Sequence, residues 1–226
     1  MRAMNMPSTS AKTVCPTPRG MTTLRDGTRR LIPCGRLVCP FCGPVTALRT
    51  ISAIRLASPE RAGYLSLPPS RLSTPELRAS APLLLRTAVG RIARDVRLTG
   101  KMWEHVSVVE LSSSGRPHAH FLQRGDPLSP KELRHLAARH RAGWAGLSPI
   151  RHMSTITNYV LKRPVSALDM DADEATELLA LHRELNGGRL VSATPGFWRD
   201  SRGEAVRGVT AARRAAYYAW VARRTQ

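Results

Sequence analysis

The chain has 226 residues, of which 42% are hydrophobic and 23% charged, so it can bury a sizeable core and is not a wholly disordered chain. Its formal net charge of +19 comes from four lysines and 31 arginines, which favours an anionic partner such as a nucleic acid. A ribosomal-type or membrane-surface protein remains an alternative, and an arginine excess is equally typical of a GC-rich genome.

Targeting signals are not evident in the sequence. No apolar run approaches the roughly 20 residues that a membrane span needs, and the first residues lack the apolar core of a secretory signal. We therefore expect an intracellular protein with no membrane segment. In that compartment cysteines are more often metal ligands or free thiols than disulfides.

The N-terminal quarter is predicted to be a flexible tail over 1–14, followed by a cysteine-rich element and linker over 15–59. This element contains many prolines and glycines, and it has too little apolar surface to fold without a metal ion or another cross-link. Its four cysteines are Cys15, Cys34, Cys39 and Cys42. The two-residue spacer between the last two is typical of zinc knuckles, so we predict a structural Zn²⁺ whose fourth ligand stays open. The alternative, free thiols or a redox pair, lacks the βαβ context of a thioredoxin-type motif.

Residues 60–200 are predicted to form the main domain. Its first expected elements are a strand at 63–67, a helix opened by Thr74-Pro75-Glu76, and strands at 103–111 and 117–123. A helix from Ser129 to about Trp144, a short strand at 150–153 and a helix at 154–163 are expected to follow. The order β-α-β-β-α-β predicts an α+β, ferredoxin-like antiparallel sheet. We expect both helices on one face and a catalytic helix after the fourth strand, which leaves the other face available for a site.

The C-terminal part is predicted to add a helix that ends at Gly187-Gly188, a strand over 189–193 and a basic helix within 201–226. Arg213 and Arg214 lie in that last helix beside Tyr217, Tyr218 and Trp220, which would suit stacking on bases and pairing with phosphates. A core stripe of aromatic residues is the alternative. Five further histidines are expected at the surface or the edge of the core: His105, His135, His140, His152 and His182.

A pair of histidines suggests a metal site. If residues 110–123 form a hairpin whose turn is centred on Ser114, Glu110 lies opposite His118. His120 then shares their face, because side chains along a strand alternate with a period of two. Two imidazoles and a carboxylate at an open face make a plausible divalent-metal site. An H-x-H pattern alone is a weak signal, and the alternative is two ordinary surface or core histidines.

A second candidate lies in the helix predicted after the fourth strand. Tyr159 and Lys162 are three residues apart and would share one helix face. A tyrosine hydroxyl is a poor nucleophile at neutral pH because it stays protonated. A neighbouring ammonium and a metal-polarised phosphate would both favour its attack as a phenolate. The alternative is a tyrosine that packs on the sheet beside a solvated lysine.

Together these motifs resemble the HUH-endonuclease superfamily, specifically the rolling-circle replication initiators of bacteriophages and plasmids. The resemblance covers roughly residues 15–199. It is carried by Gly63-Tyr-Leu-Ser-Leu, Val108-Val-Glu110, Gly115-Arg-Pro-His118-Ala-His120-Phe-Leu, Asn158-Tyr159-Val-Leu-Lys162, the stretch Cys34 to Cys42, and Gly187 to Trp198. The first motif departs from the threonine-rich form of the family, and no Walker-type loop follows.

The resemblance implies an enzyme that nicks single-stranded or melted origin DNA in the cytoplasm of a bacterial host, close to the nucleoid. Tyr159 would attack the DNA, giving a 5′-phosphotyrosine and a free 3′-OH for a host polymerase, with a host helicase as further partner. His118, His120 and Glu110 would hold Mg²⁺ or Mn²⁺, and Lys162 would position the phosphate or assist the tyrosine. DNA contacts are expected from Arg116, Arg163, Arg213 and Arg214.

The resemblance leaves four questions open. A transposase of the same superfamily would share the metal and tyrosine motifs. A non-enzymatic, zinc-bearing DNA-binding regulator would carry the H-x-H pattern incidentally. The oligomeric state and the use of Tyr217 or Tyr218 as a second nucleophile are also undecided.

Overall fold

The structure is a computed structural model that describes residues 19–23, 27, 29–32, 39, 42–166 and 170–199. The predicted tail at 1–14, Cys15 and Cys34 lie outside these residues. So does the predicted basic helix of 201–226, with Arg213, Arg214, Tyr217 and Tyr218.

Seven strands and six helices are found in the described part. The strands are β1 (Gly20–Thr23), β2 (Arg29–Ile32), β3 (Arg61–Ser66), β4 (Trp103–Leu111), β5 (Pro117–Gly125), β6 (Ala145–Pro149) and β7 (Ser192–Ala193). The helices are α1 (Cys42–Ala57), α2 (Pro75–Leu98), α3 (Pro130–Arg139), α4 (Met153–Val160), α5 (Lys162–Ser166) and α6 (Ala172–Leu185).

The strands form two sheets. β1 and β2 pair as a small antiparallel hairpin, and the other five form one sheet in the order β6-β3-β5-β4-β7. Every neighbouring pair in the larger sheet is antiparallel. The predicted α+β class with an antiparallel sheet is therefore confirmed.

One face of the large sheet packs on α2 and α3. Thr74 caps α2 by accepting a hydrogen bond from the backbone of Leu77, and Ser129 opens α3 with a capping box formed with Glu132. Their apolar sides meet alternate residues of the strands, including Leu65, Val109 and Phe121. Non-polar burial of this kind is the main stabilising contribution to such a core.

The opposite face is not left open, contrary to the expectation that the helices lie on one face. α1 packs there through Ile51, Ile54 and Ala57, together with the end of α4 and Phe197. Residues 42–57 lie in the segment that was predicted to be a cysteine-rich element and linker. The helix forms because apolar residues recur at helical spacing after Pro44, and they bury against one end of the sheet.

Two element boundaries differ from the prediction. The helix expected to reach Trp144 ends at Arg139, and the strand expected at 150–153 lies at Ala145–Pro149. The chain passes very close to the segment that follows β3, since a Cβ on Gly143 would lie 2.9 Å from the backbone nitrogen of Pro68. Directly after this approach the chain enters β6.

Two of the histidines expected at the surface or the edge of the core are buried within the fold instead. His105 lies on the α2-facing side of β4, and His182 of α6 is fully buried with Nε2 2.6 Å from the carbonyl oxygen of Leu190. No helix in the described part of the chain combines the length and the apolar character that crossing a membrane requires.

Candidate metal centre

The hairpin of β4 and β5 positions the predicted ligands. Its loop is Ser112–Arg116, in which the Ser112 N–H donates to the Arg116 carbonyl oxygen and Gly115 adopts a positive φ of 72°. A left-handed residue suits glycine, which has no Cβ to clash. The strands leave this loop in the register that pairs Glu110 with His118, as the turn centred on Ser114 predicts.

Three side chains converge at the loop end of this hairpin. One ligand atom from each of Glu110, His118 and His120 lies within 4.8 Å of the other two. All three residues are buried, and Glu110 is 0% exposed. Such a group of one carboxylate and two imidazoles is a donor set that divalent ions accept.

The hydrogen bonding of these atoms leaves ligand positions unused. Nδ1 of His118 lies 3.3 Å from the Arg116 carbonyl oxygen, which leaves its Nε2 as the donor atom for a metal. Nε2 of His120 and Oε1 of Glu110 are buried without a hydrogen-bond partner in the described part of the chain, whereas Oε2 of Glu110 lies 3.1 Å from the Lys162 ammonium. Buried polar atoms are rarely left unpaired unless something else satisfies them, so the residues fit a bound cation.

The local electrostatics keep the imidazoles neutral. Burial is the main cause that lowers the pKa of His120 to about 3, and the neighbouring His118 and Lys162 contribute to the same shift. Burial also lowers the pKa of His118, against the opposing effect of its bond to the Arg116 carbonyl. A neutral imidazole is the form that binds a metal. Burial raises the pKa of Glu110, although the nearby Lys162 ammonium acts in the other direction.

The predicted nucleophile lies at the edge of this cluster. The Tyr159 ring meets the His120 ring edge-on, with 5.1 Å between the ring centres, and Tyr159 is 51% exposed. Lys162 Nζ lies 3.1 Å from Glu110 Oε2 and 5.6 Å from the centre of the Tyr159 ring. The structure therefore brings all five predicted site residues together, with the tyrosine open to solvent and the carboxylate beneath it.

The helix that carries them differs from the prediction. It begins after His152, ends at Val160 and breaks at Leu161, after which α5 starts with Lys162 and continues through Pro164 to Ser166. The helix was expected to stop at this proline. Pro164 is instead tolerated because it occupies the first turn of a new helix, where a backbone N–H has no intrahelical partner.

The chain matches no family model, no curated protein and no solved structure.

The predicted zinc site is described in part. Cys39 and Cys42 are both buried, and the Cys42 N–H points to the Cys39 sulfur at 3.4 Å. This close pair at the start of α1 fits two ligands of a tetrahedral ion. Cys15 and Cys34 lie outside the described residues.

Two of the predicted DNA-contacting arginines are described. Arg116 is exposed at the tip of the β4–β5 loop, and Arg163 follows Lys162 in α5. Arg163 contributes to the lowered pKa of His118, which indicates that its charge acts on the metal cluster. Both arginines therefore belong to the surroundings of the same site.

Sequence reasoning missed two aromatic residues beside the cluster. Tyr64 of β3 pairs with His120 across the sheet, and its ring centre lies 5.6 Å from that of His118 and 5.7 Å from that of His120. The 63% exposed Trp144 lies against Tyr64, with 5.1 Å between ring centres. Alternation along β3 indicates the face of Tyr64, but the approach of Trp144 depends on how β6 pairs with β3.

Proposed function

We propose that the protein is a metal-dependent endonuclease and strand transferase that uses Tyr159 to cleave single-stranded DNA. The observation that carries this proposal is the contact between the exposed Tyr159 ring and His120, within the group formed with Glu110 and His118. An exposed tyrosine beside two neutral imidazoles and a buried carboxylate is suited to phosphoryl transfer, since a nucleophile and an electrophilic centre must lie close together.

The ligand set is proposed to hold Mg²⁺ or Mn²⁺. Such an ion polarises a phosphodiester and stabilises the negative charge that develops on its oxygens. His118 and His120 would bind it as neutral imidazoles, which the lowered pKa values of both residues favour. Glu110 supplies the negative charge, so the three ligands leave a net positive site that attracts phosphate.

Tyr159 is proposed to attack the phosphorus through its side-chain oxygen. A bond forms between that oxygen and the phosphorus while the bond to the 3′ oxygen of the preceding nucleotide breaks. The tyrosine loses its proton, and the departing oxygen takes one up to become a free 3′-OH. The phosphodiester energy is kept in the 5′-phosphotyrosine, so a later 3′-OH can reverse the step and close a circle.

Lys162 is proposed to serve the same step as a mobile positive charge. Its ammonium reaches Glu110 and lies close to the Tyr159 ring. A lysine side chain is flexible, so it can move from the carboxylate to the phosphate when the carboxylate binds a cation. Its charge would then favour the phenolate and orient the scissile phosphate.

The finer assignment is a rolling-circle replication initiator of the HUH superfamily. The chain order β3-α2-β4-β5-α3-β6 and the sheet order support a ferredoxin-like domain of residues 60–200. The Cys39–Cys42 pair supports a separate structural Zn²⁺ site. Origin DNA, a host polymerase and a host helicase would be the partners, in the cytoplasm of a bacterial host.

A covalent-capture experiment tests the proposal. Labelled single-stranded DNA of plasmid and phage origins is incubated with the full chain and Mn²⁺, then analysed on a denaturing gel. We expect a protein–DNA adduct that EDTA prevents and that Tyr159→Phe abolishes while DNA binding remains. Tyr64→Phe is run in parallel because Tyr64 is the other tyrosine beside His120.

The outcomes separate the alternatives. An adduct that persists in Tyr159→Phe and disappears in Tyr64→Phe would move the nucleophile to the other tyrosine. Cleavage confined to DNA hairpin ends would indicate a transposase of the same chemistry. Binding of DNA with no metal-dependent cleavage on any substrate would indicate the non-enzymatic regulator.

A further inference from the structure

A cavity lies on the side of the large sheet where α2 and α3 pack, opposite the cluster of Glu110, His118 and His120. Its volume is about 390 Å³, which is within the range of small-molecule sites. Leu67, Leu84 and Ala88 provide apolar surface, and Thr87 adds a hydroxyl. Four arginines line the same cavity: Arg71, Arg91, Arg139 and Arg141.

Most of this positive charge is not neutralised. Asp95 pairs with Arg139 at 3.4 Å and with His140 at 2.9 Å. The side chains of Arg71, Arg91 and Arg141 form no ion pair with an acidic residue in the described part of the chain. Three guanidinium groups around one cavity repel each other, and an anion that binds among them would remove that repulsion.

The backbone at Arg141 is the second observation. Arg141 follows α3 with a φ of 62°, and hydrogen bonds from Arg141 N to Ala138 O and from Ala142 N to Ala137 O close a Schellman motif. Glycine is the usual residue at this left-handed position, because a side chain there is strained. An arginine at this position lowers stability through backbone strain but places a positive charge at the cavity. Strained residues of this kind are typical of binding sites.

We propose that this cavity binds the phosphate group of a nucleotide, either free or at the 5′ end of a nucleic-acid strand. The arginine forks match phosphate oxygens and can contact them in pairs. The apolar surface of Leu67, Leu84 and Ala88 offers a wall for a base or sugar. This inference is independent of the proposed nuclease activity, since the cavity and the metal cluster lie on opposite faces of the sheet.

Binding of ATP and of a 5′-phosphorylated five-nucleotide DNA is measured by calorimetry on the full chain in EDTA. EDTA removes divalent ions, so the metal cluster does not contribute. Arg91→Ala and Arg141→Gly are compared with Arg134→Ala, which removes an exposed arginine of α3 that does not line the cavity. We expect the two cavity variants to weaken binding at least about tenfold and the control to change it less than about twofold.

Arg141→Gly also separates binding from folding. Glycine suits the left-handed position, so this variant is expected to keep or raise the midpoint of thermal unfolding while it loses affinity. Tighter binding of ATP than of the oligonucleotide would identify a free nucleotide, and the reverse order a strand end. Equal loss in all three variants, or no binding of either ligand to the unmodified chain, would overturn the proposal.

The two proposals fail separately. His120→Leu is expected to leave ATP binding in EDTA unchanged, because His120 lies on the opposite face of the sheet. Arg141→Gly is expected to retain the covalent adduct. Loss of ATP binding in His120→Leu would show that the nucleotide binds at the metal cluster and not in the arginine-lined cavity.

Discussion

The two faces of β5 differ although they come from the same nine residues. His118 and His120 point to the face of the metal cluster, and Ala119 and Phe121 alternate with them on the face covered by α2 and α3. On the second face the buried contacts are mostly apolar. On the first, Nε2 of His120 and Oε1 of Glu110 have no hydrogen-bond partner in the described residues.

The face covered by α2 and α3 therefore stabilises the fold, and the opposite face carries the side chains that are proposed to act on DNA. An unpaired buried polar group costs on the order of 1–3 kcal/mol, so Nε2 of His120 and Oε1 of Glu110 lower stability when no cation is bound. The apolar face has to offset that cost. We therefore expect substitutions on one face to change activity with little effect on stability, and those on the other to do the reverse.

The largest effect is expected on the histidine face. His120→Leu replaces the imidazole by an apolar side chain of similar volume, which removes an orphaned nitrogen and one metal ligand. DNA cleavage should fall at least about a thousandfold, because the ion supplies several kcal/mol of charge stabilisation. The free energy of unfolding should stay equal or rise. Quantitative cleavage assays and urea denaturation measure the two quantities.

Ala119→Ser is the control for this variant. Ala119 lies between the two histidines but points to the apolar face, so a serine there should lower stability and leave the cleavage rate unchanged. If His120→Leu kept the cleavage rate of the unmodified chain, the cluster of Glu110, His118 and His120 would not take part in the reaction.

The next effect concerns the apolar face. Phe121→Ala should lower the free energy of unfolding by about 3–5 kcal/mol, because it leaves a cavity beneath α2. Gly63 of β3 faces Phe121, and a Cβ on Gly63 would lie 2.1 Å from the ring atom Cζ. Gly63→Ala alone should therefore cost about 1–3 kcal/mol through overpacking. When Phe121 is already alanine, adding Gly63→Ala should lower the free energy of unfolding clearly less than it does in the unmodified chain. Denaturation of the unmodified chain, the two single variants and the double variant measures this coupling.

The cluster of Glu110, His118 and His120 was predictable because it depends on local rules. Period-two alternation and a turn centred on Ser114 are enough to place Glu110 opposite His118. The helix after the fourth strand follows from its flanking signals, and it carries Tyr159 to the same face. A short hairpin fixes its own register, so no knowledge of distant residues is needed.

Features that depend on distant pairing were not predictable in the same way. α1 was assigned to a linker because its neighbourhood is rich in proline and glycine, although Ile51 and Ile54 bury against the sheet. Trp144 was placed in a helix, because nothing local shows how closely Gly143 passes Pro68. The arginine-lined cavity likewise needs three segments that meet only in the folded chain.

His105 is a buried, titratable residue on the face of α2, and its titration makes the stability of the fold depend on pH. Burial lowers its pKa from 6.5 to about 4, with a further contribution from Arg97. The unfolded chain therefore binds a proton more readily, so stability is full above pH 6.5 and falls as the pH drops towards 4. The loss due to this residue should be about 2 kcal/mol between pH 7.5 and 5.

His105→Gln tests this contribution. Glutamine does not titrate, so the variant should lose less stability than the unmodified chain over the same pH range, by the amount due to His105. Because other buried histidines titrate in both proteins, the difference between their unfolding curves is the quantity to measure. Identical pH dependences would show that His105 is protonated in the folded state without cost.

The smallest effect is expected at the rim of the histidine face. Trp144→Ala should weaken binding of single-stranded DNA about fivefold to tenfold, or ~1 kcal/mol, with little preference between bases. This is the low end for stacking, because one part of the ring already contacts Tyr64. Trp144→Phe should recover most of the affinity, whereas Leu98→Ala, which truncates another exposed apolar side chain, should not change it. Fluorescence anisotropy with labelled oligonucleotides measures all three, and equal affinities would confine DNA recognition to the charged residues of this face.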